Sequence, residues 1–240
     1  MRREHRPHYL RLARATLEAR YARHFLEPHF DAVGEGTAFG NPWHISAHGP
    51  HIELGRYVKI DASTERPVRL VCWPIEPTAT GIKIGDFAMI NPGARFHCGD
   101  RIELGKNALL APEVTLSDSD WHDPYDRVYT NGAHAPIILH DNVWVGEGAR
   151  ICKGVTIGEN SIIGAGSVVT HDIDDDAIAA GNPARVIRRL DADREFISRD
   201  HVYAHPEAFF GELKRIEDTM LSHNTTLGYL RHLLFPKRTD

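Results

Sequence analysis

Cysteine is scarce in this sequence of 240 residues, where it occurs only as Cys72, Cys98 and Cys152. An odd and unpatterned set argues against a disulfide framework or a cysteine-based zinc site, and it is typical of a reducing compartment. No apolar run approaches the roughly 18–20 residues of a membrane span, and the arginine-rich start lacks the apolar centre of a signal peptide. We therefore expect a cytoplasmic protein without integral membrane association.

Neither sign of charge dominates, since 28 lysine and arginine residues stand against 33 aspartate and glutamate residues. The balance excludes a general attraction to nucleic acid, so no nucleic acid partner is expected. The length fits one domain, or one solenoid with two end pieces.

An aliphatic residue returns at every sixth position between residues 139 and 169, and a small residue usually follows it. This period fits neither the repeat of about 3.6 residues of a helix nor the alternation of a flat strand. It is typical of a chain that turns a corner after each hexad, so that about three hexads make one coil of a parallel β-helix. The positions expected to point into its core are Leu139, Val145, Ile151, Ile157, Ile163 and Val169.

The same spacing occurs upstream in two shorter series, Ile84, Ile90, Phe96, Ile102 and then Leu104, Leu110, Leu116. Residues 64–80 match it poorly and are expected to form a distorted coil or an excursion. At roughly eighteen residues per coil, residues 52–169 predict about five to six coils once residues 117–137 are set aside.

The two ends do not follow the repeat. We predict an N-terminal helical cap over residues 1–40, a β-helix over 41–190 with a loop at 117–137, and a C-terminal helical extension over 191–240. Residues 8–26 have the apolar spacing of an amphipathic helix. Such a helix can lie on a membrane surface or pack on the solenoid end or on a neighbouring subunit. The need of repeat proteins for end caps favours packing.

The loop at residues 117–137 is the expected functional region, because solenoid insertions often form the binding face and long loops in compact domains are usually functional or disordered. It contains Trp121, Tyr125 and Tyr129, which argue against a floppy linker. His122 lies early in it with carboxylates nearby, which makes this imidazole the candidate catalytic group.

The run NVWVGEGARICKGVTIGENSIIGAGSVVTHDIDDDAIAAGNPARVIRRL (residues 142–190) resembles the hexapeptide-repeat acyltransferases, above all their maltose/galactoside O-acetyltransferase branch. The hexads, the protruding loop with an early His and the closing GNPARVIR together carry the resemblance. It implies a left-handed parallel β-helix, and a homotrimer with active sites between subunits.

By position, the resemblance makes His122 the general base that deprotonates an acceptor hydroxyl, since a neutral imidazole suits that task. Asp120 and Asp123 are candidates to orient its ring, and the sequence does not choose between them. Both are assigned to the acceptor side of the site, together with Asn91, which matches an acceptor-site asparagine of the family.

The resemblance also implies that acetyl-CoA is the acyl donor and that no metal is required. Ala165 matches a residue whose backbone contacts the pantetheine arm, and Thr170 matches a hydroxyl at the nucleotide end. Arg185 and Arg188 match residues near the adenosine phosphates, for which guanidinium groups are well suited. Trp144 matches a tryptophan close to the cofactor groove.

The acceptor side departs from the sugar acetyltransferases. Gly93 stands where a second asparagine is common, and near Cys98 and Gly99 an acidic residue of the family is missing. The sequence thus predicts an acetyl-CoA-dependent O-acyltransferase acting on a hydroxyl of a saccharide or saccharide-like acceptor, with N-acetylation of an amino-sugar left open.

Two other classes of function remain alternatives. A metal-dependent lyase like the γ-class carbonic anhydrases would need three histidines, and His97, His134 and His140 have a roughly suitable scatter. They lack, however, the close pair on one coil that such a site needs. A non-catalytic β-helix binding module would keep the hexads without a need for His122, Arg185 and Arg188.

Overall fold

The computed structural model describes residues 5–128, 132–191, 193–204 and 206–235. In this part of the chain, twenty short β-strands lie between residues 32 and 189. They are β1 (Ala32–Val33), β2 (Ala38–Gly40), β3 (Ile45–His48), β4 (Ile52–Leu54), β5 (Lys59–Asp61), β6 (Val68–Cys72), β7 (Gly81–Ile84), β8 (Met89–Ile90), β9 (Arg95–Cys98), β10 (Arg101–Leu104), β11 (Leu109–Leu110), β12 (Thr115–Ser117), β13 (Ile137–Leu139), β14 (Trp144–Val145), β15 (Arg150–Cys152), β16 (Thr156–Ile157), β17 (Ile162–Ile163), β18 (Val168–Val169), β19 (Ala177–Gly181) and β20 (Ala184–Arg189).

Consecutive strands belong to different sheets, and every third strand pairs in parallel. The first sheet has the order β1-β4-β7-β10-β13-β16, the second β2-β5-β8-β11-β14-β17-β19-β20, and the third β3-β6-β9-β12-β15-β18. Each coil therefore gives one strand to each sheet, which confirms the predicted parallel β-helix. In the described residues, β1 to β18 complete six coils. A parallel strand, β19, and the antiparallel β20 follow them.

The predicted hexads form the core. Leu139, Val145, Ile151, Ile157, Ile163 and Val169 are each at most 1% exposed. Burying such a side chain contributes roughly 1.5–3 kcal/mol, and stacking the coils makes that contribution continuous along the solenoid. The aliphatic period therefore determines which face of each strand points inward.

The corner between the first and second sheets repeats one backbone conformation. Tyr57, Phe87, Asn107, Asn142, Asn160 and Asp176 have φ angles between 53° and 62°. Asparagine tolerates this left-handed region better than most residues. Asn142 donates to Asn160 Oδ1 at 3.0 Å, and Asn160 donates to Asp176 Oδ1 at 2.9 Å, so the corners of successive coils are joined by a ladder of side chains.

The β-helix begins earlier than predicted, with β1 inside the region assigned to the helical cap. Its first coil has its own core positions six residues apart, Val33, Phe39 and Ile45, of which Phe39 and Ile45 are 8% and 7% exposed. The irregular region predicted at 64–80 contains a regular strand, Val68–Cys72, so the excursion is confined to the turn before it and residues 73–80.

Helices form at both ends, as predicted: α1 (His8–Tyr21), α2 (Asp200–Ala204), α3 (Pro206–Leu221) and α4 (Thr226–Leu234). Residues 1–20 and 200–240 group as one compact unit, and residues 21–199 as another. In the first unit, Arg11 lies 2.8 Å from Glu217 and the Tyr9 hydroxyl 2.7 Å from Thr226 Oγ1. Among the described helices, none has the length and apolarity needed to cross a membrane.

Candidate functional site

The loop that interrupts the solenoid is tied down where it leaves the third sheet. Asp118 is fully buried, and its carboxylate accepts hydrogen bonds from the backbone amides of Gly99, Asp100 and Arg101 at 2.7, 2.9 and 2.8 Å. These bonds compensate for the burial of its charge. The Asp118 carbonyl accepts from Ala135, and the Asp120 amide donates to Ala133, both at 3.0 Å. The outgoing and returning segments of the loop are therefore paired at its base.

His122 lies just beyond this paired base and is exposed to solvent. The preceding residue, Trp121, has a φ of 63°, a rare conformation for a bulky side chain. Its amide donates to Ser119 Oγ and its indole N–H to Ser117 Oγ, both at 3.2 Å. These contacts determine the direction in which the backbone presents His122.

Each predicted orienting carboxylate has a partner of its own. Asp120 Oδ1 lies 2.8 Å from the Lys153 ammonium. Asp123 Oδ1 accepts from the amides of Tyr125 and Asp126 at 2.8 and 3.0 Å. The amide bonds from Asp126 and then Tyr125 lower the pKa of Asp123 below its usual value. Tyr129, which was also predicted to stiffen this loop, lies outside the described residues.

The acceptor-side asparagine lies at another corner, between the second and third sheets. Asn91 Nδ2 donates to the Leu110 carbonyl of the next coil at 2.8 Å. Gly93, two residues on, has a φ of 87°, and a Cβ there would lie 2.9 Å from Glu113 Cγ. Glycine therefore stands where the family commonly has asparagine because the backbone of this corner has a positive φ and leaves little room for a Cβ.

Gly99 lies against the segment that follows β6. A Cβ at this position would lie 2.7 Å from Ile75 Cδ1. Ile75 belongs to residues 73–80, which bulge outward between β6 and β7 and which we call the 73–80 bulge. Trp73 in the same bulge packs edge-on against Trp121. The contact joins two segments that are 48 positions apart in the chain, which no local sequence pattern indicates.

The predicted coenzyme residue Ala165 lies on the corner between the second and third sheets and is exposed. Two glycines at equivalent corners, Gly148 and Gly166, have φ angles of 69° and 68°, and a Cβ at either would meet no described atom within 4 Å. This corner is thus an open shelf of small residues that leaves room for a thin ligand. Thr170 follows β18 and is exposed, with its hydroxyl 2.9 Å from His171 Nδ1.

Trp144 lies on the outer face of the second sheet, where it is 47% exposed. It is in register with Leu109 and Ile162 on the neighbouring strands. The same column continues through Ile178 to Arg188. The predicted tryptophan and one predicted arginine therefore share one face of the solenoid.

The β19–β20 hairpin carries both predicted arginines. Arg185 pairs with Ala180 in the hairpin and is exposed, and one of its guanidinium nitrogens donates to the Ala184 carbonyl at 2.8 Å. Arg188 lines a cleft of about 440 Å³. The other lining residues, which the sequence analysis did not single out, are Arg189, Leu190, Asp191, Arg194, Glu195, Phe196 and Ile197.

The predicted residues form two groups that one chain does not bring together. His122, Asp120 and Asp123 lie on the loop between the third and first sheets. Ala165 and Asn91 lie on the corner between the second and third sheets, and Trp144, Arg185 and Arg188 on the second sheet. His122 therefore lies at a different corner from Ala165, whereas Thr170, which follows β18, lies at the corner between the third and first sheets.

The histidines of the metal alternative lie apart in the fold: His97 on β9, His134 at the loop base and His140 after β13. Among the residues that the structure describes, no three His, Cys, Asp or Glu side chains gather as a metal site would require.

Comparison with known proteins places the sequence among acetyltransferases. Residues 136–171 match the family model described as bacterial transferase hexapeptide (six repeats). The chain is 37% identical to the galactoside O-acetyltransferase of Escherichia coli (strain K12) over an alignment of 141 residues, and the match covers 49% of this chain and 69% of that protein. The galactoside O-acetyltransferase of Lactococcus lactis is 38% identical over 102 residues, 42% of this chain and 48% of that protein.

A solved structure also resembles this one. It is a hexapeptide-repeat containing acetyltransferase from Vibrio cholerae, with 25% identity and a TM-score of 0.52, and the match covers 76% of this chain and 90% of that chain. The same Vibrio protein, solved in complex with acetyl coenzyme A, gives 24% identity and a TM-score of 0.51 over 75% of this chain and 86% of that one.

Proposed function

The chain is an acyltransferase that belongs to the hexapeptide-repeat acetyltransferases, in the maltose/galactoside O-acetyltransferase branch, and from this premise we propose that it transfers the acetyl group of acetyl-CoA to a hydroxyl of a saccharide or saccharide-like acceptor. The observation that carries the proposal is an exposed His122 held by an anchored loop on the solenoid of this family.

On the donor side, the open shelf around Ala165 receives the pantetheine arm, and Trp144 and Thr170 flank the coenzyme. Arg185 and Arg188 bind its phosphates, because guanidinium groups form charge-assisted hydrogen bonds with phosphate oxygens. The two arginines are exposed on one hairpin and no carboxylate is recorded within ion-pair distance of either in the described residues, which leaves their charges available to a ligand. Acetyl-CoA supplies the thioester.

On the acceptor side, the neutral imidazole of His122 accepts the proton of the acceptor hydroxyl while the oxygen attacks the thioester carbonyl carbon. The carbon–sulfur bond of the tetrahedral intermediate then breaks, and the imidazolium returns the proton to the departing thiolate. No covalent enzyme intermediate is formed. Asn91, Asp120 and Asp123 remain the candidates for contact with the acceptor, and Lys153 holds Asp120 in place.

The separation of the two groups of residues supports a shared active site. Because Ala165 lies at a different corner from His122, and Trp144, Arg185 and Arg188 lie on the second sheet, we infer that a neighbouring copy supplies one of the groups, in the homotrimer that the family resemblance implies. The cytoplasmic location remains a prediction from the cysteine content.

The experiment that tests the function is thiol release from acetyl-CoA across a panel of sugars, nucleotide sugars and amino-sugars. An O-acetyltransferase gives acceptor-dependent thiol release, with product carrying an O-acetyl group by mass spectrometry and NMR. An N-acetylated amino-sugar as the preferred product would contradict O-transfer, and no acceptor-dependent release with any compound would contradict the assignment to saccharides.

The first prediction concerns His122. His122→Ala should lower kcat by about 10²–10⁴, the usual cost of removing a general base, because no other group would take the hydroxyl proton. Its exposure predicts little change in melting temperature or in coenzyme A affinity measured by calorimetry. His29→Ala, which removes an exposed imidazole from the short turn at Glu27–His29, is the matched control and should keep kcat. Retention of more than a tenth of the parent rate would reject His122 as the base.

A further inference from the structure

Two tryptophans pack against each other beside His122, of which Trp73 is exposed and Trp121 is half-buried. The ring centroids of Trp73 and Trp121 are 6.1 Å apart, with an interplanar angle of 88°. Trp73 is 64% exposed. Ligand sites are lined largely by hydrophobic and aromatic side chains, so an exposed indole that packs on a second one next to the candidate base is a candidate binding surface.

Both indoles are carried by anchored backbone. The Trp73 amide donates to the Cys98 carbonyl and the Ile75 amide to the Gly99 carbonyl, both at 2.8 Å, so the 73–80 bulge is bonded to the next coil. Trp121 is held by Ser117 and Ser119 through its indole and its amide. The pair is therefore preorganised, which reduces the entropy lost on binding.

Polar groups lie next to these aromatic faces along the chain. Asp120, which precedes Trp121, is paired with Lys153, and His122 follows it. Sites for small ligands combine aromatic surface with a small number of placed polar groups. A pyranose ring has the matching surface, because its C–H face is apolar while its hydroxyls form hydrogen bonds. An aromatic face can cover the former while the neighbouring charged groups contact the latter.

We propose that Trp73 and Trp121 form a stacking platform for one pyranose ring of the acceptor. The inference rests on the proposed function, and it narrows the acceptor to a ring-closed sugar that presents an apolar C–H face. Trp121 links the platform to the chemistry because it immediately precedes His122, and Trp73 supplies the more exposed indole face. Trp73 binds the acceptor and takes no part in proton transfer.

The test substitutes Trp73, which lies outside the catalytic loop. Trp73→Ala should raise the acceptor KM about tenfold, as expected for the loss of an aromatic contact, with kcat and coenzyme A affinity nearly unchanged. Trp73→Phe, which keeps an aromatic face, should recover most of the affinity. Trp43→Ala is the control. This tryptophan lies in the first coil, is 38% exposed and packs on Tyr21 at the end of α1, so the acceptor KM should not change.

A binding readout separates the platform from the reaction. Saturation-transfer NMR on the His122→Ala protein with coenzyme A bound should detect maltose and a methyl galactoside, with the ring C–H protons receiving most of the saturation. The signal should be lost in Trp73→Ala/His122→Ala and absent with glucitol, an open-chain polyol.

The two proposals fail in different ways. If acetyl transfer to a sugar occurs but Trp73→Ala leaves KM and sugar binding unchanged, the platform is wrong and the function stands. If sugars bind through Trp73 but no acetyl group is transferred, the function is wrong and the platform stands. Binding of neither pyranoside, or equal binding of pyranosides and glucitol, overturns the platform.

Discussion

His97 shows how the third sheet affects a single titrating group. It lies on β9 between the buried Phe96 and Cys98, in register with Val71 and Ser117. Partial burial, followed by the charges of Arg95 and Arg69, lowers its pKa below the usual value for histidine. The fold therefore favours the neutral imidazole.

This shift predicts a pH dependence of stability. Below the ordinary pKa of about 6.5, the unfolded chain binds a proton at His97 before the folded protein does. The unfolded state is then favoured as the pH falls, and the effect is complete below the lowered pKa of the folded state. His97→Gln removes this titration. In urea unfolding, the parent should therefore lose stability relative to the variant between about pH 7 and pH 5. A constant difference across that range would contradict the prediction.

The carboxylates near His122 show which residue-level features a sequence does not reveal. Asp118, Asp120 and Asp123 look equivalent in SDSDWHD. In the fold, Asp118 is buried under three amides that lie 17–19 residues earlier in the chain. Asp120 meets Lys153, which is 33 residues later. The partners of Asp118 and Asp120 depend on how the coils stack, which local sequence does not encode, whereas Asp123 accepts from amides in its own turn.

Among the elements, the corner between the first and second sheets is the place where the residue types best match the backbone conformation that they adopt. Asn142 and Asn160 lie at left-handed positions in successive coils and are bonded to each other. The six-residue spacing predicted the strands because a buried aliphatic residue recurs in them at that interval. The same reasoning missed the first coil, although Val33, Phe39 and Ile45 have that spacing, since three positions are too few to separate from chance.

The corner leads to a prediction at Asn160, whose φ is 60°. Asn160→Ala removes the side-chain bonds to Asn142 and Asp176 and adds a left-handed alanine, which costs about 1–2 kcal/mol. Asn160→Gly removes the same bonds without that cost. The glycine variant should therefore be the more stable by about 1 kcal/mol, the reverse of the usual order in regular structure. Chemical denaturation of both variants and the parent measures this, and an alanine variant as stable as the glycine variant would contradict it.

At the scale of the whole molecule, the solenoid was predictable and the association of the chain ends was not. The core follows a six-residue period that the sequence shows most clearly between residues 139 and 169. The pairing of α1 with α3 and α4 uses polar contacts such as Arg11–Glu217 and Tyr9–Thr226, between residues 206 and 217 positions apart. Amphipathic spacing indicated helices at both ends, but it does not say which helix faces which.

The proposal that neighbouring copies share the active site gives the final prediction. His122→Ala should lack the base, and Arg185→Ala/Arg188→Ala should bind coenzyme A at least about tenfold more weakly, since each charge-assisted bond contributes roughly 1.5–3 kcal/mol. If neighbouring copies supply the two groups, co-expression of the variants creates sites with one intact group from each chain. In randomly mixed trimers about a quarter of the sites are then complete.

At subsaturating acetyl-CoA, co-purified mixed trimers should regain about a quarter of the parent activity, whereas variants assembled separately and then combined should not. Mixed trimers no more active than the separate variants would show that one chain supplies both groups.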